Sequence, residues 1–447
     1  MKIIKKTVSD IINTKFREYA LYTLQSRGIP SFDDSLTSVQ RVILTSAKTD
    51  YEKTLSLVGS CISAGYSHGD ASLSGAISKI TREFNCSDNL LQGKGFWGSP
   101  VVHEAAAPRY TSVRLNPIVK QYFKYSHLNE YDNDILQPLH LKLPIGLSNI
   151  TIGIAVGYKT LILPRKISDI EKYIEGKIKT VKPYFKNFTG KISKHKDGWV
   201  IKGDYVLNEK DNTVYVKDIP HLMKYSSFII KLQNALIESG IEYKLINDSG
   251  KLVDIKIKCK NKNDLQKVYS IVETCSTIYV SESIVFIKDS SVITYDSIED
   301  YLTDFKIRIA EIDYKELVYQ QSVEDFNLAY EKAKLKYLEY MQSKERTRTE
   351  VLDFIKKFDK KIASKLDTIK LSTLNKNAIA ECKFEIDRLT KLTASLTKQV
   401  KAEKKKFDML KSKFKYTGST NTTKKIDDNN DEIFNELLEF DSEIMED

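Results

Sequence analysis

Residues 302–340 read LTDFKIRIAEIDYKELVYQQSVEDFNLAYEKAKLKYLEY. Their apolar side chains recur at alternating intervals of three and four: Leu302, Phe305, Ile309, Ile312, then Tyr319, Val323, Phe326, Tyr330, Ala333, Tyr337 and Tyr340. Glu316 is the one position that breaks the series. Such a heptad pattern lays one apolar seam along one side of a helix, and another helix must cover it. At 1.5 Å per residue the stretch predicts a helix of about 58 Å. A second, looser seam follows at Leu389, Leu392, Leu396, Val400, Phe407, Leu410 and Phe414. A shorter pattern lies between, at Leu352, Ile355, Phe358, Ile362 and Leu366. The reading is an antiparallel coiled coil with a helical knob, over residues 299–415. A helical bundle folded back on the body satisfies the same pattern.

Working outward, residues 131–298 read mostly as strands. Trp199-Val200-Ile201, Tyr205-Val206-Leu207 and Thr213-Val214-Tyr215-Val216 are β-branched or aromatic runs broken by turn pairs such as Asp211-Asn212. A helix is expected at Phe228–Ser239, closed by Gly240. Val253, Ile255 and Ile257 alternate, and Ile278–Val280 and Val285–Ile287 follow. The region is α+β. Residues 26–130 predict three short helices. One starts near Thr37 with Val39, Val42, Ile43 and Ala47 on a face; one carries Leu55, Leu57, Val58, Cys61 and Ile62 and ends at Gly65; one follows His68-Gly69-Asp70 through Leu73, Ile77 and Ile80. In a basic region these are compatible with a helix-turn-helix or winged-helix module. Residues 1–25 hold a basic N-terminal helix, at about Ser9–Gln25. Residues 416–447 read as a disordered acidic tail whose spaced apolar residues could fold on a basic partner.

The chain has 447 residues, enough for two to four domains. No apolar run approaches the ~18 residues of a membrane span. The basic start lacks the apolar core of a secretory signal. Cys61, Cys86, Cys259, Cys275 and Cys382 are an odd, scattered set, which argues against a disulfide framework or zinc site and for a reducing compartment, the cytoplasm. The net charge of +10 is unevenly placed: residues 426–447 hold ten acids and no Lys or Arg. The rest of the chain carries 70 bases against 50 acids, a charge of +20. A basic body suggests a polyanion partner; a lysine-rich surface that keeps the protein soluble is the alternative.

Gly93-Lys94-Gly95-Phe96-Trp97-Gly98 matches G-x-G-x-x-G, but no βαβ unit surrounds it, so a dinucleotide site is rejected. There is no Walker A motif. His68-Gly69-Asp70 and His103-Glu104 are polar pairs without metal-ligand spacing. Arg109-Tyr110-Thr111, with Arg114 close by, is the cluster of interest. Tyr110 is one of 25 tyrosines, most of which serve packing or surface. Beside an arginine, however, a phenolate can be stabilised and a phosphate gripped. A phenol of pKa near ~10 needs such help to act as a nucleophile.

In order along the chain, these pieces resemble the breakage–reunion, gyrase A-like subunit of type IIA DNA topoisomerases. Ile29-Pro30, Asp34, Leu36, Val39 and Arg41 resemble "LP-x-x-x-D-G-L-K-P-V-x-R". Tyr66-Ser67-His68-Gly69-Asp70 resembles "Y-H-x-H-G-D/E". Gln92–Ser99 is similar to "G-Q-G-N-F-G-S" with one extra residue. Ala105–Thr111 is similar to "A-A-A-x-R-Y-T", which holds the catalytic Arg-Tyr pair. Gly153–Gly157 is similar to "G-I-A-V-G". Val216–Pro220 and Asn247–Ser249 resemble the later "T-E-I-P" and "D-E-S" landmarks. Gly157–Pro164 is most similar to the short T4-type bacteriophage branch.

The resemblance implies a winged-helix DNA-gate domain over residues 26–130, an α/β tower domain over 131–298, a coiled coil with a C-gate knob over 299–415, and an N-terminal docking arm over 1–25. It implies Tyr110 as nucleophile, Arg109 as charge stabiliser and His68 as a hydrogen-bond or proton-transfer group. Arg41, Lys94, Gln92 and Arg114 would contact duplex DNA, and Ile154 would wedge between bases. Homodimerisation through the C-gate is implied. No acidic TOPRIM motif is present, so Mg²⁺ and ATP would arrive with a large ATPase/TOPRIM partner subunit, and no metal ligand is assigned here. The sequence ends soon after the coiled coil without gyrase's DNA-wrapping domain, an expectation favouring relaxation and decatenation over supercoiling. Thr37 stands where a DNA-contacting lysine is common and Gln40 where gyrase has histidine. Ala71 and Gly75 replace the residues that anchor quinolones through a metal–water bridge, which implies weak binding by that route. The rival reading is a non-catalytic DNA-binding coiled-coil clamp.

Overall fold

The computed structural model describes residues 7–24, 28–123, 138–155, 157–289, 291–369 and 376–413. The expected acidic tail and Phe414 of the second seam lie outside them. The fold is mixed α/β, and its contacts divide it into two units, one running to Lys306 and one spanning Ile307–Lys415.

The first unit opens with α1 (Val8–Ile11), a π turn at Ile12–Phe16 and α2 (Arg17–Thr23). Val8, Ile12, Phe16, Tyr19 and Tyr22 are exposed along this helix. Their spacing of three and four puts them on one stripe.

Helix α3 (Ser38–Ser46) starts with a capping box. Thr37 Oγ1 accepts from the Gln40 N–H at 3.4 Å, and Gln40 Oε1 accepts from the Thr37 N–H at 2.9 Å. Two amides at the helix start, which have no partner within the helix, are thereby satisfied. Thr37 and Gln40, two of the departures from the resembled pattern, thus serve the helix start. Strand β1 (Glu52–Lys53) leads into α4 (Thr54–Ser63), and α5 (Asp70–Thr81) follows. Strands β2 (Leu91–Lys94) and β3 (Ser112–Leu115) complete an antiparallel sheet in the order β1-β3-β2. Ile43, Leu57, Leu73, Ile77, Leu91 and Val113 form the core between the three helices and the sheet. A short α6 (Pro117–Lys120), capped by Asn116, ends this part.

Strands β4 (Thr151–Ala155) and β5 (Tyr158–Ile162) form a hairpin, followed by α7 (Ile167–Ile174). Next come β6 (Lys191–His195), β7 (Gly198–Lys202), β8 (Asp204–Asn208) and β9 (Thr213–Asp218). Helix α8 (Tyr225–Glu238) precedes β10 (Tyr243–Asn247) and β11 (Ile255–Cys259); α9 (Leu265–Cys275) precedes β12 (Thr277–Val280), β13 (Ile284–Lys288) and β14 (Ser291–Tyr295). The sheets run β10-β11-β9-β8 and β12-β7-β6, with β13-β14 a separate hairpin. Inward residues of β9 and β11, Val214, Val216, Ile255 and Ile257, meet Phe228 and Leu232 of α8 and Val268 and Val272 of α9. Helix α8 begins one turn before the expected start, and Gly240 closes it at φ +66°.

Helix α10 (Ile298–Ser343) is a single rod of 46 residues, longer than the seam alone predicted. Its base is held within the first unit. The Tyr301 hydroxyl donates to the Phe32 carbonyl at 2.8 Å and meets Ser35 Oγ at 2.7 Å. Asp304 accepts from Tyr295 Oη at 2.6 Å and Lys288 Nζ at 2.7 Å.

In the second unit, α10 continues to two short helices, α11 (Arg348–Ile355) and α12 (Lys360–Asp367), and then α13 (Lys376–Lys413). Tyr314 stacks on Phe407, Gln321 donates to Thr397, and the Cys382 thiol meets Glu331. Numbers rise on one helix as they fall on the other, so α10 and α13 run antiparallel. Ala333, Tyr337, Val351, Ile355, Ile362 and Leu366 share a small core. Two seam positions differ from expectation: Tyr319 and Val323 are exposed at 46% and 38%, while Tyr314 makes the ring contact. Further along the same seam Ala333 and Tyr337 are buried again, against α11 and α12.

Candidate functional site

The connection from β2 to β3 carries the Arg109–Tyr110 pair. It leaves β2 through Gly95, at φ +104°, and turns again at Gly98, at φ +89°. These left-handed positions suit glycine, so the glycine-rich stretch serves the backbone path. The Ala106 N–H donates to Phe96 O at 3.0 Å, and the Tyr110 N–H closes a turn onto Ala107 O at 2.9 Å. Immediately after, Thr111 is fully buried, with its hydroxyl 2.7 Å from that of Thr54 at the start of α4. The Thr54 N–H also donates to Thr111 O at 3.2 Å. Tyr110 is therefore 67% exposed while its neighbour is pinned on both backbone and side chain. Arg109, also exposed, places its guanidinium carbon 4.9 Å from the Tyr110 ring centroid. An accessible phenol on a fixed backbone, beside an unburied cation, can attack an electrophile that brings negative charge.

His68 lies on the loop between α4 and α5, half-buried, with its ring edge-on to buried Tyr66 at 5.4 Å. His103, within the β2–β3 connection, faces Phe84 and Pro100 O. Burial, reinforced by the Arg82 guanidinium, pushes His103 down to about 4. At neutral pH it is an uncharged floor for the loop.

The outer face of the β1-β3-β2 sheet gathers Gln92, Lys94 and Arg114. Val113, Leu115 and Leu91 are buried, so alternation turns Arg114, Ser112, Gln92 and Lys94 outward. Arg114 Nε donates to Gln92 Oε1 at 2.9 Å. Register places Lys53 and Lys94 on either side of Ser112. Tyr51 joins them, with Lys94 Nζ 4.1 Å and the Arg114 guanidinium 4.6 Å from its ring centroid. Tyr51 and Lys53 were missed in sequence because β1 is two residues long and is recruited only by pairing.

Arg41, expected at a DNA surface, is turned inward. It is 3% exposed, with Nε 2.7 Å and Nη2 3.0 Å from the two oxygens of fully buried Asp34 and a further bond to Leu36 O. Asp34 also accepts the N–H groups of Leu36 and Leu139, each at 2.9 Å. This is a bidentate internal brace for the loop before α3.

Ile154 stands apart from the Tyr110 cluster, on the β4–β5 hairpin opposite Lys159. It is 51% exposed, next to a turn where Gly157 takes φ +78°. Gly153 lies so close to the Gly28 carbonyl that a side chain there would collide with it, which clamps β4 at its base.

Among the described residues, no group of three or more His, Cys, Asp or Glu could hold a metal ion, and no helix is long and apolar enough to cross a membrane.

Residues 27–415 match the family of the DNA gyrase and topoisomerase IV A-subunits. The chain is 28% identical over 257 residues to the DNA topoisomerase medium subunit of Enterobacteria phage T4, covering 54% of this chain and 58% of that one. It is 31% identical over 184 residues to the DNA gyrase A-subunit of Buchnera aphidicola, covering 38% of this chain and 22% of that one. The matches thus span about half and about a fifth of those relatives. In fold, it resembles the Plasmodium falciparum topoisomerase II DNA-binding, cleavage and re-ligation domain, with TM-score 0.70, 17% identity, and coverage of 90% of this chain and 64% of that one.

Proposed function

Because the chain belongs to the family of the DNA gyrase and topoisomerase IV A-subunits, we propose that it is the strand-cleaving component of an ATP-dependent type II DNA topoisomerase. The observation that carries this reading is the exposed Tyr110 beside Arg109, on a turn anchored by the buried Thr111–Thr54 pair.

The Tyr110 oxygen attacks the scissile phosphorus. A Tyr110–O–P bond forms as the bond from phosphorus to the 3′ oxygen breaks, leaving a 5′-phosphotyrosyl link and a free 3′ hydroxyl. The phenolic proton passes to water and the departing 3′ oxygen takes one from water, so the protons balance, with His68 as a hydrogen-bond or proton-transfer group at the same phosphate. Arg109 balances the charge gathered on the phosphorane oxygens. One phosphoester replaces another, so resealing by the reverse step needs no ATP. Two chains about a twofold axis cut both strands, and a second duplex passes through, which relaxes or decatenates DNA.

Lys94, Gln92 and Arg114 contact the backbone around the cut, in a sequence-tolerant and salt-sensitive way. Ile154 enters a base step and bends the duplex. On this reading, residues 26–130 are a winged-helix gate, 131–298 a tower, and 299–415 a coiled coil whose α11–α12 knob meets its twofold mate. The exposed stripe of residues 8–22 supports an arm that docks on a large partner subunit. Among the described residues no group of three or more His, Cys, Asp or Glu could hold a metal ion, so no step is routed through one; this reading assigns Mg²⁺ and ATP to the partner.

The test is decatenation of interlinked circles by the chain reconstituted with its large subunit. Tyr110→Phe should abolish it while duplex binding persists. A non-catalytic clamp would leave Tyr110→Phe indistinguishable from wild type.

A further inference from the structure

We propose that Tyr51 is a positioning residue that holds the Lys94 and Arg114 cations on the sheet's outer face, ready for neighbouring phosphates. The inference rests on the strand-cleaving reading and adds a residue to its DNA-contacting surface.

Both cations stand within cation–π range of one ring, Lys94 Nζ at 4.1 Å and the Arg114 guanidinium at 4.6 Å from the centroid. Like charges drawn to one spot repel, and a group attractive to both offsets part of that repulsion. The negative face of an aromatic ring is attractive to each. Gln92 completes the arrangement by fixing Arg114 Nε from the neighbouring strand. Lys53 lies across Ser112 from Lys94, so a third cation borders the same patch. The face follows directly on Tyr110, because β3 begins at Ser112.

Long cationic side chains lose rotamer freedom when they grip a phosphate. A ring that restrains them beforehand lowers that loss, which is preorganisation. The phenol oxygen is not needed for this, so phenylalanine should serve as well as tyrosine.

The experiment measures binding of the full chain to a fluorescent duplex of about 30 base pairs across a salt series. Wild type is compared with Tyr51→Phe, Tyr51→Leu, Tyr51→Gln, the Lys94→Met/Arg114→Gln double variant, and that double variant carrying Tyr51→Leu. Tyr51→Phe should match wild type. Tyr51→Leu and Tyr51→Gln should bind about fivefold more weakly, within the range of two cation–π contacts. Their salt dependence should be shallower, by up to ~1.8 in log–log slope if both phosphate contacts are lost. Adding Tyr51→Leu to the double variant should cost nothing further. Equal loss in both backgrounds, or weaker binding at an unchanged salt slope, overturns the proposal while leaving the cleavage reading intact. A wild-type chain that shows no salt-dependent duplex binding overturns both.

Discussion

The hydroxyls of Thr54 and Thr111 lie 2.7 Å apart in a fully buried contact, one residue after the exposed Tyr110. The pair ties the first residue of α4 to the end of the tyrosine loop. Removing the Thr54 hydroxyl leaves buried Thr111 with only its longer bond, 3.4 Å, to the Pro108 carbonyl, at a cost of about 1 kcal/mol. It also frees the backbone that aims the phenol.

Thr54→Val should therefore slow DNA cleavage on the order of 10-fold or more, because small misplacements of a reacting group are costly. Duplex affinity should change little, and Thr54→Ser should restore the rate. Single-turnover cleavage alongside binding titrations separates these effects. Equal losses in affinity and rate would point to general damage of the sheet.

The Arg41–Asp34 brace gives a contrasting expectation. Both side chains are buried, so truncating one leaves an uncompensated charge, at a cost of about 3–5 kcal/mol. Arg41→Met should lower the urea midpoint markedly. At temperatures where the variant remains folded, its DNA salt slope should equal that of wild type. A slope reduced by about one phosphate contact would restore Arg41 to the DNA surface.

Ile154→Ala tests the wedge separately from the chemistry. Unstacking a base step costs a few kcal/mol, which the inserted side chain must offset. The variant should bind duplex but bend it less, read as a longer end-to-end distance by fluorescence energy transfer. Unchanged bending would remove Ile154 from the account.

His103 sets a pH dependence for stability. Its folded pKa, about 4, lies below the unfolded value of about 6.5. Between these values the unfolded chain binds more protons, so stability falls as pH drops from about 6.5 toward 4 and levels off below. The full effect approaches ~3 kcal/mol. Urea midpoints should fall more steeply over that window in wild type than in His103→Gln. Parallel profiles would show that His103 protonates freely in the fold.

What sequence reveals here depends on how far apart the cooperating residues are. Arg109 and Tyr110 are adjacent, and a short motif announced them. The three helices around residues 38–81 were legible because their apolar spacing is local. Arg41 was misread because an arginine in a basic chain suggests an external anion. Its partner Asp34 lies seven residues away, and buried Val42, Ile43 and Leu44 beside it were the available signal. The Thr37/Gln40 capping box has a sequence signature that was passed over in favour of the missing lysine and histidine. Tyr51 and Lys53 had no comparable signal. They meet residues 92–114 only when a two-residue strand pairs with β3. Along α10, the pattern foretold a long helix but not which side is covered near Tyr314.

The most direct measurement is a detergent-trapping assay with end-labelled duplex, Mg²⁺ and the large partner subunit, comparing wild type with Tyr110→Phe. The account predicts protein attached to the 5′ end of the broken strand with wild type and none with Tyr110→Phe, while both bind the duplex. Trapping by Tyr110→Phe at the wild-type level would contradict it, as would no trapping by wild type with a partner that is active alongside another strand-cleaving chain.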